Sequence, residues 1–156
     1  MITYDSRIPW IMNFSACTTV SKNPSGHLRI GFDLVKISGI AYSLAQFGER
    51  FERRLFTADE LAYAHAGSDL FAERLAARFA AKEATVKALG FANAGVNWRD
   101  IEVCKLPDGM CVLAFHGHVA ELANQLDILQ VALSLSHDGD YAGAFVTVLC
   151  KAPAND

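Results

Sequence analysis

From Asp69 to Leu89 the chain carries neither glycine nor proline, and Gly90 follows at once. At roughly 100° per residue, Phe71, Leu75, Phe79, Val86 and Leu89 fall within an arc of about 80°, which predicts one long helix with a core-facing stripe. Ser68 or Asp69 caps its start, Asp69 and Glu73 sit at its positive end, and Gly90 lies just past its last turn. The rest of a 156-residue chain, the length of a single domain, must be arranged around this helix.

The neighbouring patterns supply the partners. Leu28, Ile30, Phe32 and Leu34 alternate with Arg29, Gly31 and Asp33, which predicts a strand with one apolar face and Asp33 pointing away from it. Ile37, Ile40, Ala41, Leu44 and Phe47 recur at helical spacing and stop at Gly48. Thr57 with Glu60 three residues on reads as a capping box that opens a short helix. DIEVCKL and MCVLAFH, joined by PDG, predict a hairpin; HVAELANQL predicts a short amphipathic helix; ILQVALSLS and YAGAFVTVL predict a second hairpin around HDGD. Helices come early and antiparallel hairpins late, with no regular strand–helix–strand alternation, so the class is α+β.

Composition narrows the function. A formal charge of −3 gives no global attraction to nucleic acid or anionic lipid, so an acidic partner must meet a local basic patch. Hydrophobic content of 52% marks a globular chain. Cys17, Cys104, Cys111 and Cys150 show no metal-knuckle spacing and are expected as reduced thiols of a cytoplasmic protein. No apolar run reaches the roughly 18 residues of a membrane span, and IPWIMNFSACTTV is a poor signal peptide. The linker-like SKNPSGH separates residues 1–27, an N-terminal extension, from a domain over 28–150 and a tail at 151–156.

The long helix also carries charges that need a reason. Lys82 falls inside the apolar arc, where its stem packs and its ammonium snorkels to water, or where it serves a ligand. Glu83 and Lys87 lie four apart on a face shared with Ala72, Ala76 and Ala80; a surface ion pair is the plain reading. Small side chains beneath them, however, let another body approach, and a carboxylate beside an ammonium can hold a metal ion and a phosphate oxygen together. Asp33, from the strand, would supply a second carboxylate to a magnesium ion.

These residues resemble the phosphopantetheinyl transferases, specifically the short holo-acyl-carrier-protein synthase type. GFDLVKI is similar to that family's G-I-D-[IL]-V-E-I opening, RLFTADE to its R-x-[LF]-T-x-x-E, and RFAAKEATVKALG to its most telling signature. WRDIEV, the hairpin glycine Gly109 and LSLSH…YAGAFV follow in order, so the likeness spans about Leu28 to Val148. The resemblance implies that family's fold, a single short domain with a long central helix packed on antiparallel hairpins. It implies a reaction in which a serine of an acidic acyl carrier protein attacks the β-phosphorus of coenzyme A, giving holo carrier and 3′,5′-ADP.

It also implies roles. Asp33 and Glu83 match the family's magnesium ligands. Lys87, with Arg54, Arg78, Lys82, Gly90 and Gly109, would hold the diphosphate or 3′-phosphate of coenzyme A. His137, near the cofactor and followed by Asp138, which would orient or polarise the imidazole, is a candidate base; a metal-bound water or a ligand carboxylate is the alternative, and HDGD also reads as a plain turn. Similar enzymes are trimers with sites between subunits. Two positions depart from the pattern: Lys36 stands where the family has an acid, and Gly39 where it has an arginine that helps dock the carrier. A rearranged basic surface from Lys36, Arg50, Arg53 and Arg54 would then suit a specialised carrier, as in polyketide or unusual fatty-acid biosynthesis. The competing reading is a non-catalytic module that binds coenzyme A or a carrier protein.

Overall fold

The computed structural model describes residues 26–151. Strand β1 (Gly26–Lys36) runs directly into helix α1 (Ile37–Phe47), and helices α2 (Glu49–Leu55) and α3 (Ala58–His65) follow. A 3-10 turn, Ser68–Leu70, leads into the long helix α4 (Phe71–Leu89). Strands β2 (Ile101–Lys105) and β3 (Cys111–Phe115), helix α5 (Gly117–Gln125) and strands β4 (Ile128–Asp138) and β5 (Tyr141–Lys151) complete the chain. The strands form two antiparallel sheets, β1-β5-β4 and β2-β3.

The expected α+β class and both hairpins are present. The expected helix starting at Thr57 is α3, and both halves of its capping box form: Glu60 N–H donates to Thr57 Oγ1 at 3.3 Å and Thr57 N–H to Glu60 Oε2 at 2.9 Å. Helix α2 was not legible as a helix. Gly26 and His27 pair with Lys151 and Cys150 in the sheet; the rest of the 1–27 extension, with Cys17, lies outside the described residues. Cys104, Cys111 and Cys150 are free thiols. Among the described residues no helix is long and apolar enough to cross a membrane.

Helix α4 is central because it is covered on nearly every side. One core lies against the sheets, where Ala80, Ala81, Ala84 and Ala88 meet Val146, Val148, Ile101 and Val103. A second core joins Leu75 and Ala76 to Ile40, Leu55, Phe56, Ala64 and Ala142. Of the alanine face expected to receive a ligand, Ala76 and Ala80 are therefore occupied by the chain's own cores, while Ala72 is half-buried.

That packing reverses the reading of β1. Its row Leu28, Ile30, Phe32 and Leu34 stays 63%, 55%, 55% and 55% exposed, while Arg29, Gly31, Asp33 and Val35 face α4. Gly31 explains the choice. A Cβ built there would lie 1.9 Å from the Ala84 carbonyl oxygen, so strand and helix meet backbone to backbone and no larger residue fits. The bulky residues of β1 are left on the far side of the sheet, beside Tyr141 and Phe145 of β5, which are 42% and 43% exposed.

Candidate active site

Close approach of β1 to α4 brings two distant parts of the sequence together at the last turns of the helix. Lys87 Nζ donates to Asp33 Oδ1 at 2.7 Å and to the Phe32 carbonyl oxygen at 3.2 Å. Asp33 is only 16% exposed at its side chain, whereas Lys87 is 52% exposed, so the pair sits at the rim of the helix–strand seam. Glu83, one turn earlier on the same face, is half-buried. Burial raises its carboxyl above the ordinary range, the Asp33 charge raises it further, and Lys87 opposes both. The bond to Asp33 in turn holds the Lys87 ammonium above its usual pKa.

Three of the predicted site residues, Asp33, Glu83 and Lys87, are thus assembled. The donor set fits a hard divalent ion. Two carboxylates repel each other in a partly desolvated place, and the Lys87 ammonium bonded to Asp33 offsets part of that repulsion. Among the described residues no group of three or more His, Cys, Asp or Glu side chains that could by itself hold a metal ion converges.

The remaining candidates lie elsewhere. Lys82 is fully buried and bonded to Glu60 Oε2 at 2.7 Å and to the carbonyls of Trp98 and Ile101, so all three of its hydrogens are used. It neither snorkels to water nor has a hydrogen left for a phosphate, and the expected cofactor role is corrected to a structural one. Burial lowers its pKa and Glu60 opposes the shift. Glu60, read in the sequence only as half of a capping box, also accepts the Val103 N–H at 3.0 Å.

Arg78 is 3% exposed, on the α3 and β2 side of α4, with its guanidinium 4.0 Å over the Tyr63 ring. Its Nη1 donates to the Arg74 carbonyl at 3.2 Å, and its Nε has no hydrogen-bond partner among the described residues. It lines a cleft with Tyr63, Cys104 and Lys105. Arg54 is exposed on α2, in a shallow depression with Phe47, Arg50, Phe51 and Leu55. Gly90, at φ 76°, ends α4 in the left-handed conformation, where Arg29 Nη1 donates to the Leu89 carbonyl at 3.0 Å. Gly109, at φ 90°, occupies the turn of the β2–β3 hairpin.

His137 shares the helix-facing side of the sheet with Asp33, but β5 lies between their strands. The pairings Val35 to Ala142 and Ala142 to His137 put the Cα atoms of His137 and Asp33 about 12 Å apart. The imidazole is 59% exposed, and Glu73 of α4 places a carboxylate oxygen 3.5 Å from its Nε2. Asp138, expected to orient the ring, is exposed at the end of β4 opposite Tyr141. Glu73 was visible in the sequence only as an acid near a helix start; nothing in its spacing pointed to His137.

The profile of the 4'-phosphopantetheinyl transferase superfamily matches residues 29–146. The chain is 42% identical over 120 residues to a holo-[acyl-carrier-protein] synthase of Koribacter versatilis, a match covering 76% of this chain and 95% of that protein. Among solved structures, the apo-ACPS of Chronobacterium ammoniagenes superposes with a TM-score of 0.72 at 37% identity, over 81% of this chain and 99% of the other. The coenzyme A complex from the same organism gives a TM-score of 0.71 at 36% identity, with the same coverage.

Proposed function

The chain belongs to the 4'-phosphopantetheinyl transferase superfamily as an enzyme of the holo-[acyl-carrier-protein] synthase kind, and we propose that it transfers 4'-phosphopantetheine from coenzyme A to a serine of an apo acyl carrier protein. In this reaction the serine oxygen bonds to the β-phosphorus, the bond from that phosphorus to the bridging oxygen breaks, and 3′,5′-ADP leaves with the electron pair. The single observation that carries the reading is the Asp33–Lys87 contact beside Glu83. Two carboxylates for a cation and one ammonium for a phosphate are what a diphosphate needs from a protein.

Magnesium, held by Asp33 and Glu83, would neutralise the diphosphate and the leaving oxygen. Lys87, whose ammonium lies at the exposed end of this seam, would pair with a phosphate oxygen. Arg54, exposed on α2, and Arg78 are assigned to the phosphates of coenzyme A on the strength of the resemblance alone. His137, with Glu73 beside it, is the proposed acceptor of the serine proton.

The exposed apolar side of β1-β5-β4 supports a homotrimer with sites between subunits. Leu28, Ile30, Phe32 and Leu34 of β1 and Phe145 of β5 are exposed side by side on this face, and contiguous exposed apolar side chains mark interaction surfaces. A neighbour seated there could bring its own residues to the seam that one protomer leaves open. Carrier choice is assigned to α1 and α2. Helix α1 bears no charged residue over Ile37–Phe47, and Tyr42 and Phe47 are 66% and 61% exposed. Arg53 is engaged by Glu49 at 2.8 Å, which leaves Arg50 and Arg54 as the cations nearest that apolar patch. A specialised acidic carrier with apolar contacts fits this surface.

Incubation with coenzyme A, magnesium and a panel of apo carriers, followed by mass spectrometry of the carriers, tests the reading. One phosphopantetheine gained by at least one carrier is expected. Tight coenzyme A binding with no transfer across the panel would establish a non-catalytic binding module instead.

A further inference from the structure

The strand ladder fixes the backbone of His137 and leaves its ring undecided. His137 lies inside β4 and pairs with Ala142 of β5, which pairs in turn with Val35 of β1, so its Cα has a set place relative to Asp33. Rotation about the side-chain bonds remains, and with it the direction of each ring nitrogen. The imidazole is mostly exposed, so burial does not hold it.

The group that meets the ring comes from α4. Glu73 Oε1 lies 3.5 Å from Nε2, and among the described residues neither side chain has another ionic or hydrogen-bonding partner. Asp138, next along β4, belongs to the opposite face of the sheet, in line with Tyr141, so the acid adjacent in sequence is not the one beside the ring. Glu73 stands in the first turn of α4, where the N-cap residue Leu70 offers no side-chain cap, and the positive end of the helix favours its charged form. The helix that carries Glu83 and Lys87 at its far end thus presents a carboxylate to His137 at its near end.

We infer that Glu73 is a positioning residue: it accepts the Nε2 hydrogen of His137, which fixes the ring and leaves the Nδ1 lone pair to take the serine proton. The inference rests on the transferase reading above and deepens it. At 3.5 Å the contact is longer than a formed hydrogen bond, as catalytic contacts commonly are before substrate binds, and it tightens as the ring gains positive charge. In the step itself the serine O–H bond breaks and its proton passes to Nδ1, while the serine oxygen bonds to the β-phosphorus and 3′,5′-ADP leaves with the electron pair of the broken P–O bond. The imidazolium, beside a carboxylate, then gives the proton to water. Glu73 touches neither coenzyme A nor the reacting atoms, so its loss falls on turnover rather than on binding.

Steady-state transfer by the full chain, read as a double-mutant cycle, tests this. Glu73→Ala is expected to lower kcat about tenfold, with KM for coenzyme A within about twofold of the parent. The double variant, Glu73→Ala with His137→Ala, is expected to be no slower than His137→Ala alone, because a residue that acts through the ring has nothing to act on once the ring is gone. Glu73→Gln keeps an oxygen for the Nε2 hydrogen and is expected to recover most of kcat; this recovery, with an unchanged unfolding temperature, separates a lost contact from a lost fold. Losses that add in the double variant would mean that Glu73 acts apart from His137 and overturn the inference. So would a parent-like kcat for Glu73→Ala, or a fall that Gln does not recover. His137→Ala at the parent rate would take the ring out of the reaction, and this inference with it, while transfer itself stood. A parent protein that transfers nothing to any carrier sinks the transferase reading first, before any variant is compared.

Discussion

Two lysine–carboxylate pairs hang from helix α4 at the same 2.7 Å, yet they live in opposite surroundings. Lys82 and Glu60 are fully buried; Lys87 and Asp33 are 52% and 16% exposed at their side chains. The buried pair is saturated, since the Trp98 and Ile101 carbonyls, the Val103 amide and the Thr57 amide use what the two charges leave over. The rim pair is not saturated, because Glu83 stands beside it with its carboxyl pushed up and only one ammonium to share. The length of an ion pair says nothing about its role. Whether its neighbours still want a partner does, and five residues along one helix are enough to change that.

The largest expected effect falls on the buried side. Glu60→Gln would leave the Lys82 ammonium without its counter-charge, and loss of about 3–5 kcal/mol is expected in chemical denaturation; an unchanged midpoint would erase the contrast between the pairs. Glu83→Gln, on the rim, is expected to cut transfer by about two to three orders of magnitude without lowering the unfolding temperature, since it removes a charge that the fold disfavours. Lys87→Gln should reduce kcat/KM for coenzyme A by about tenfold, roughly one lost phosphate contact, and leave stability unaltered; a stability loss like that of Glu60→Gln would mean the pairs are alike after all.

The smallest effect is a pH dependence of sign fixed by Glu83. Its folded pKa lies above its unfolded one, so its share of stability is present at low pH and is lost as pH rises through the folded value. A bound divalent ion reverses this by favouring the charged form. The thermal shift produced by magnesium should therefore shrink as pH falls through the raised pKa of Glu83, and a shift that grows on acidification would point to other ligands.

Much of the fold was legible because its signals are local. The capping box at Thr57, the turn glycines Gly90 and Gly109 and the alternation of the hairpins act over a few residues, and each element stands where these put it. What escaped depends on contacts made across the chain. The apolar row of β1 reads as a core face, and only the collision that Gly31 avoids with Ala84 turns it outward. The same holds for the site. Asp33, Glu83 and Lys87 share a resemblance, and the latter two a helical face, so they could be grouped beforehand. Lys82 and Glu60, or His137 and Glu73, are paired by tertiary packing, and no spacing in the sequence announces it.

Gly31 makes the distance between the two candidate metal ligands a property of a missing methyl group. Asp33 rides on the strand and Glu83 on the helix, and the gap between those backbones is as small as it can be at residue 31. Any side chain there would act as a wedge, prising the carboxylates apart while the strand ladder to β5 stayed zipped. A chain so altered would part the two carboxylates, which makes this silent position, far from any charge chemistry of its own, the hinge pin of the seam.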